Sequence, residues 1–269
     1  MTMRLIWKNL EEINKRIRKS GRIFLALDYD GTLTPIVSRP SRAVMRYPAR
    51  ALLSRLSNKK NISLAVISGR RLSDIEKMVK VKGIFYAGSH GFEIKGPGIK
   101  FIHPACLAAR PYIRQIKSRL KHELPSVGGI ILEDKGVGLS LHYRNVKKTA
   151  VDGVKKVFHN IVDGYAAGKK VRLSFGKKVL EVRPNIKWDK FSALNEISKA
   201  ARKSAKAGKR HVTIYIGDDA TDEDVFKKMK APDISVYVGK KSYKSRAEFF
   251  VSNVNDVLKL IGFLEKNYG

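Results

Sequence analysis

The sequence predicts an α/β protein: a doubly wound, mainly parallel sheet core with an inserted α+β domain. Two observations predict the sheet. Three short runs, at 22–27 (RIFLAL), 62–67 (ISLAVI) and 211–216 (HVTIYI), are almost unbroken apolar sequence, as strands buried on both faces must be. Each follows a segment of helical periodicity and ends in ionisable or glycine-rich residues, the alternation expected when helices cover a parallel sheet. The third observation is a change of pattern between about 107 and 184, where apolar runs are joined by hairpin-like links that parallel strands cannot use.

From the N-terminus, Leu5, Leu10, Ile13 and Ile17 recur at near-helical spacing and predict a helix over 4–19, stopped by Ser20-Gly21. The 22–27 strand ends at Asp28. A helix over 48–57 leads to the 62–67 strand, which ends in Ser68-Gly69-Arg70. The middle reads helix 107–123, strand 129–134, strand 137–143, helix 149–162, strand 170–175 and strand 178–183, with turns at Lys135-Gly136 and Gly176-Lys177. A helix over 189–207 leads to the 211–216 strand and Gly217-Asp218-Asp219; 234–238 and 249–251 are two further short strands. The expected organisation is a core of 1–106 with 185–269, interrupted by an inserted domain of 107–184.

Of the 269 residues 43% are hydrophobic, enough for a substantial core and too many for a disordered chain. Lys and Arg number 55 against 24 Asp and Glu, a net charge of +31 that favours anionic partners and says nothing about fold. The cations are dispersed in short runs, not gathered in a stripe with aromatic partners. A basic nucleic-acid-binding protein is therefore the weaker, non-enzymatic alternative, and no specific nucleic acid is expected. Cys106, the single cysteine, cannot form an internal disulfide. No stretch approaches the roughly 18–20 apolar residues of a membrane span. Lys8 interrupts Leu5, Ile6 and Trp7 before any signal-peptide core can form. A cytoplasmic monomer without membrane contact is the expectation.

Ligands of open α/β sheets bind outside the carboxyl ends of strands, so the three polar strand ends can converge on one site. Asp28 and Asp30 stand two residues apart before Gly31, which permits a tight turn. Five of the 24 acids fall within 217–224. Thr221, Asp222, Glu223 and Asp224 read in part as a helix cap and an acidic first turn, which leaves Asp218 and Asp219 over. A DxD pair alone reads better as a surface turn; two more polar strand ends in the expected order reverse that. Carboxylates held this close repel one another unless a cation lies between them, and Mg²⁺ suits an all-oxygen site that also takes a phosphate. Ser68, turn N–H groups and a lysine could then hold phosphate oxygens.

DYDGTLTP at 28–35, VISGR at 66–70, Lys190 and GDDATDEDVF at 217–226 resemble the haloacid dehalogenase-like phosphatases. LDYDGTLTPIV, AGSHGFEI at 87–94, EDKG and LHYR within 133–144, LEVRP at 180–184 and GDDATDED together resemble that superfamily's trehalose-6-phosphate phosphatase family, over about residues 22–251. The resemblance implies a Rossmann-like core carrying a cap, and Mg²⁺-dependent hydrolysis of trehalose 6-phosphate through an aspartyl-phosphate. It implies Asp28 as nucleophile and Asp30 as general acid, then base. It implies Mg²⁺ on the Asp28 carboxylate, the Asp30 carbonyl and Asp218, with Asp219 or Asp222 behind them. Ser68 and Lys190 would hold the transferring phosphoryl group, and Gly69 and Arg70 would bind substrate beside them. The family often has Lys-Gly where this chain has Lys190-Phe191, so Lys187 competes for the lysine role.

Sugar recognition is expected of the cap. Alternation puts Glu181 and Arg183 on one face of its last strand, and His142 and Arg144 on one face of another. Glu133 and Lys135 lie at a strand end. By residue type alone these are equally a solvated charged face; the resemblance makes Glu133, Lys135, Arg144, Glu181 and Arg183 sugar contacts. His90 and Glu93, near the core–cap junction, are further candidate contacts. A related phosphatase acting on another sugar phosphate, such as sucrose phosphate or mannosylglycerate phosphate, shares these core residues and is the enzymatic alternative.

Overall fold

The computed structural model describes residues 2–37, 42–125, 127–176, 178–204, 211–241 and 243–269. The chain divides into two compact units, Met1–Phe101 with Trp188–Gly269, and Ile102–Lys187. The elements run β1 (Arg4–Leu5), α1 (Leu10–Ser20), β2 (Ile23–Leu27), α2 (Tyr47–Ser57), β3 (Ile62–Ile67), α3 (Leu72–Val79), β4 (Phe85–Gly88), β5 (Glu93–Gly96) and β6 (Ile99–Ile102). Next come α4 (Pro104–Glu123), β7 (Ile131–Asp134), β8 (Leu139–His142), α5 (Val151–Ala167), β9 (Val171–Gly176) and β10 (Val179–Pro184). The chain closes with α6 (Lys190–Ser204), β11 (Val212–Gly217), α7 (Glu223–Phe226), β12 (Ile234–Val238), β13 (Phe249–Val251) and α8 (Val254–Tyr268).

Among the described residues the large sheet has nine strands in the order β1-β13-β12-β11-β2-β3-β4-β5-β6. Pairing is parallel from β1 through β4 and turns antiparallel between β4 and β5. Period-two alternation sorts the side chains of β2. Ile23, Leu25 and Leu27 join the core under α1, α2, α3 and α8, while Phe24 and Ala26 join the core under α6 and α7. Each large side chain buried this way contributes about 1.5–3 kcal/mol, which is why every β2 residue is apolar. In the other unit, α4 and α5 cover one face of the antiparallel sheet β7-β8-β10-β9 through Ile116, Leu120, Phe158 and Ile161 against Leu139, Leu141, Leu180 and Val182. No helix among the described residues is long and apolar enough to cross a membrane.

Three expectations change. The N-terminal helix begins at Leu10, not at residue 4, because the Arg4 amide is committed to Glu248 O (3.0 Å) and Arg4–Leu5 pairs parallel with β13. Helix α4 starts at Pro104, whose fixed φ suits a first turn, so the second unit begins at 102 and runs to 187. Strand β8 ends at His142, and residues 143–146 turn, with Val146 N donating to Tyr143 O at 3.2 Å. The turn expected at Gly176-Lys177 and the last residues of the 189–207 helix include positions outside the described residues.

Candidate active site

Strands β11, β2 and β3 lie side by side with Leu27 level with both Ile216 and Val66, so their carboxyl ends deliver Asp28, Ser68 and Asp218 to one edge. The Asp28 amide donates to Ile216 O (2.9 Å), extending the pairing one residue past β2. Gly31 then turns the chain at φ +83°; a Cβ there would lie 2.0 Å from Asp218 Oδ2, so another residue would strain this turn and push the Asp218 side chain away.

Lys190, the first residue of α6, is buried with its ammonium between two carboxylates. Nζ donates to Asp28 Oδ1 and to Asp222 Oδ1, both at 2.7 Å. The Tyr215 hydroxyl donates to the same Asp222 oxygen (2.6 Å), and the amides of Asp218 and Asp219 donate to Asp222 Oδ2 (3.0 Å each). Both oxygens of Asp222 are thus filled from within. The helix-cap reading of 221–224 holds in part: α7 begins at Glu223 with Glu223 and Asp224 in its first turn. The Asp222 side chain, however, caps nothing and instead ties the loop to Lys190, while Glu223 turns inward to accept from Ser245 Oγ and from the Arg246 amide at 3.0 Å.

Carboxylate oxygens of Asp28, Asp218 and Asp222 lie within 4.8 Å of one another. Burial pushes Asp28 well above its ordinary value, against the pull of Lys190. Burial, with Asp222 and Asp219 nearby, lifts Asp218 to about 7. Burial opposes the Lys190 charge, but Asp222 and Asp28 outweigh it and hold its pKa well above normal. Three acids facing one ammonium leave an excess of negative charge that a divalent cation would relieve. With Asp222 filled, Asp28 and Asp218 are the acids with oxygen left to offer one, and Thr32 Oγ1 steadies Asp218 at 3.3 Å. The donors fit such an ion.

The structure places Asp30 otherwise than expected. Its carboxylate is not in this cluster but in the grip of Arg70, which donates from Nε (2.7 Å) and Nη2 (2.6 Å). Arg70, expected to bind substrate, is an Asp30 partner. Ser68 is buried at the end of β3, and its Oγ accepts from the Arg70 amide (3.2 Å). His90 lies against Gly69, where a Cβ would come within 2.8 Å of the imidazole. Glu93 opens β5, level with Gly88. Asp219 sits 4.0 Å from Lys190 and accepts from the Thr221 amide and hydroxyl, both at 2.7 Å. Lys187 is exposed, so Lys190 is the lysine in the site.

In the second unit the face of the sheet turned away from α4 and α5 carries the remaining candidates. Glu181 stands level with Ser140, and Ser140 level with Glu133. Glu181 Oε1 accepts from Lys135 Nζ and Ser140 Oγ, each at 2.9 Å, and Oε2 from Arg183. Glu133 meets His142 Nε2 at 2.8 Å. Arg144 is not brought to this group: it lies in the exposed turn after β8, and among the described residues it has no hydrogen-bond or ion-pair partner. Alternation fails for it because the strand has already ended.

Residues 26–255 match the family model of trehalose-phosphatase. A trehalose 6-phosphate phosphatase of Zea mays is 33% identical over 267 residues, covering 93% of this chain and 72% of its own length. The chain belongs to the trehalose-phosphatase family. A Mycobacterium tuberculosis protein described as an uncharacterized glycosyl hydrolase is 37% identical over 83% of this chain, which spans only 16% of that relative's length. The solved C-terminal domain of C. albicans trehalose-6-phosphate phosphatase superposes with TM-score 0.76 at 26% identity, covering 99% of this chain and 98% of that one.

Sequence reasoning missed one member of each of the two clusters. Tyr215 sits inside an apolar strand and reads as core until its hydroxyl is seen on Asp222. Ser140 reads as a polar residue among leucines; its place two residues before His142 on the Glu181 face was the available signal.

Proposed function

We propose that this chain hydrolyses trehalose 6-phosphate to trehalose and phosphate, with the phosphoryl group carried on Asp28 and Mg²⁺ in the carboxylate site. The observation that carries the reading is the buried Asp28–Lys190–Asp222 cluster at the carboxyl ends of β2 and β11, in a chain of this family. Asp28 would attack phosphorus; the bond from phosphorus to the sugar oxygen breaks, and that oxygen takes the electron pair and a proton from the Asp30 carboxyl. Asp30 then takes a proton from a water whose oxygen attacks the aspartyl-phosphate; the bond to Asp28 breaks and phosphate leaves.

Lys190 keeps its charge beside the reacting oxygen and offsets the negative charge brought in by phosphate. Because Ser68 Oγ accepts from the Arg70 amide, its own hydrogen is available to a phosphoryl oxygen. Mg²⁺ on Asp28, Asp218 and the Asp30 carbonyl would draw negative charge from the phosphoryl oxygens.

The unit 102–187 serves in this reading as the sugar-recognition cap, with Glu133, Lys135, Glu181 and Arg183 on its charged face. Sugar hydroxyls both donate and accept, so paired carboxylates and cations can exchange one another for them. Phosphate release from a panel of sugar phosphates, with and without Mg²⁺, tests the reading. Trehalose 6-phosphate should lead the panel by about tenfold or more. Equal rates on sucrose phosphate or mannosylglycerate phosphate would move the assignment to that alternative.

A further inference from the structure

We propose that Arg70 is a positioning residue for Asp30, fixing the carboxylate that serves both proton transfers; the inference rests on the phosphatase reading above. The Asp30 side chain is 40% exposed and would rotate freely on its own. Arg70 stops that rotation by placing Nε on one carboxylate oxygen and Nη2 on the other, a planar fork that a lysine cannot reproduce.

The guanidinium is itself held. It lies 5.6 Å over the Tyr29 ring. The Arg70 amide donates to Ser68 Oγ, and its carbonyl accepts from the Ser89 amide at 2.6 Å. His90 N donates to Ser68 O (2.8 Å), and its ring closes over Gly69. Ser89 and His90 are consecutive non-glycine residues in the left-handed region, φ 52° and 59°. Such conformations persist only where the surroundings over-determine them, and they gather at functional sites. Here the constrained turn delivers the Ser89 amide to Arg70. Arg70 therefore joins the loops after β2, β3 and β4, and the Ser-His-Gly segment acts through it.

The two chemical steps need Asp30 unequally. A sugar oxygen leaves only with the proton that Asp30 supplies, whereas p-nitrophenolate leaves as the anion. With p-nitrophenyl phosphate, only hydrolysis of the aspartyl-phosphate requires Asp30, which takes the proton of the attacking water as phosphorus parts from Asp28. Loss of positioning should therefore separate the steps.

The experiment is stopped-flow and rapid-quench kinetics of the full chain with Mg²⁺, comparing the parent, Arg70→Met, Arg70→Lys and Asp30→Asn. With p-nitrophenyl phosphate, Arg70→Met should release one p-nitrophenolate per enzyme within about threefold of the parental burst rate. Its steady state should be at least about tenfold slower, with phosphate accumulating on the protein. Asp30→Asn should show the same split, and Arg70→Lys an intermediate one. With trehalose 6-phosphate, single-turnover trehalose release by Arg70→Met should fall by about tenfold or more.

A lost burst with raised KM would mean that Arg70 binds the substrate phosphate, and would overturn the proposal. So would parental rates in both steps, or a uniform loss that Arg70→Lys does not relieve. If the parent forms no phosphoenzyme, the covalent reading falls and takes this inference with it. If it forms one from p-nitrophenyl phosphate but leaves trehalose 6-phosphate intact, only the substrate assignment falls and the burst comparison still decides.

Discussion

The carboxylate pocket of the first unit and the charged sheet face of the second are both ionic clusters, built in opposite ways. In the pocket, Asp28, Lys190 and Asp222 are 5%, 2% and 0% exposed, and backbone amides on fixed loops supply half of the donors to Asp222. On the face, Glu181 accepts from side chains, those of Lys135, Ser140 and Arg183, and the Lys135 and Arg183 side chains keep 14% and 15% exposure. A cluster wired by backbone has one arrangement and suits bond making. A cluster wired by side chains can trade partners with incoming hydroxyls, each lost ion-pair contact being replaced by another hydrogen bond.

The hardest test of that contrast is Asp28→Asn. The amide can still accept from Lys190 but is no nucleophile, so turnover should fall by about 10⁴-fold or more with the circular dichroism spectrum unchanged. Parental turnover would remove the covalent mechanism. Next in size is the cation. Chelation should abolish phosphate release and Mg²⁺ should restore it, while Asp218→Ala should cost about 10²–10³-fold at an Mg²⁺ concentration that saturates the parent. Full activity after exhaustive chelation would refute the cation site.

On the sheet face the effect should be smaller and selective. Glu133→Ala and Glu181→Ala should each cost on the order of 2–5 kcal/mol in kcat/KM for trehalose 6-phosphate. Hydrolysis of p-nitrophenyl phosphate, which has no sugar to recognise, should barely change. Equal losses on both substrates would merge the two clusters into one machine.

The smallest effect belongs to the first unit's foundation. His211, just before β11, is buried, shares a hydrogen bond with Ser198 Oγ (2.9 Å) and tilts against Phe24 at 5.3 Å. Burial, with Arg202 and Arg22 nearby, lowers its pKa to about 4. The unfolded chain then binds a proton that the folded chain refuses, so stability is complete above about pH 6.5 and declines as pH falls toward 4. The loss is at most about 3 kcal/mol. Denaturation midpoints of the parent and His211→Gln across that range should converge at low pH; parallel curves would assign the decline to other groups.

Legibility in the sequence followed the same divide. The acids of the pocket were readable because 28–32 and 217–222 each keep them within one loop, and Gly31 marks the contact that Asp218 makes; Lys190 and Tyr215 reach the same cluster from elsewhere in the chain and were less legible. The face was only half readable, because its members sit on separate strands and alternation holds only while a strand lasts. Arg144 lies two residues past the end of β8, and nothing local says so. Spacing alone predicts too long an N-terminal helix for a related reason. Leu5 fits helical spacing, but pairing with β13, some 240 residues away, overrides local periodicity. Strands β4 to β6 are four residues each, and β5 and β6 are interrupted by Lys95 and Lys100, so they left little signal.

That two-residue β1 has a consequence for the protein's behaviour in a crowded solution. An outermost strand normally offers a row of unsatisfied amides and carbonyls to any passing chain. Here the row is too short to template another strand. Arg4 lies across it with the Phe249 ring beneath its guanidinium at 4.6 Å, and Glu12, Arg16 and Glu248 interlock around it. A foreign strand seeking to continue the sheet would have to dismantle a charged knot before forming its first hydrogen bond. On a surface already strongly cationic, that knot, built partly from α1, makes this border of the sheet a poor template for a further strand.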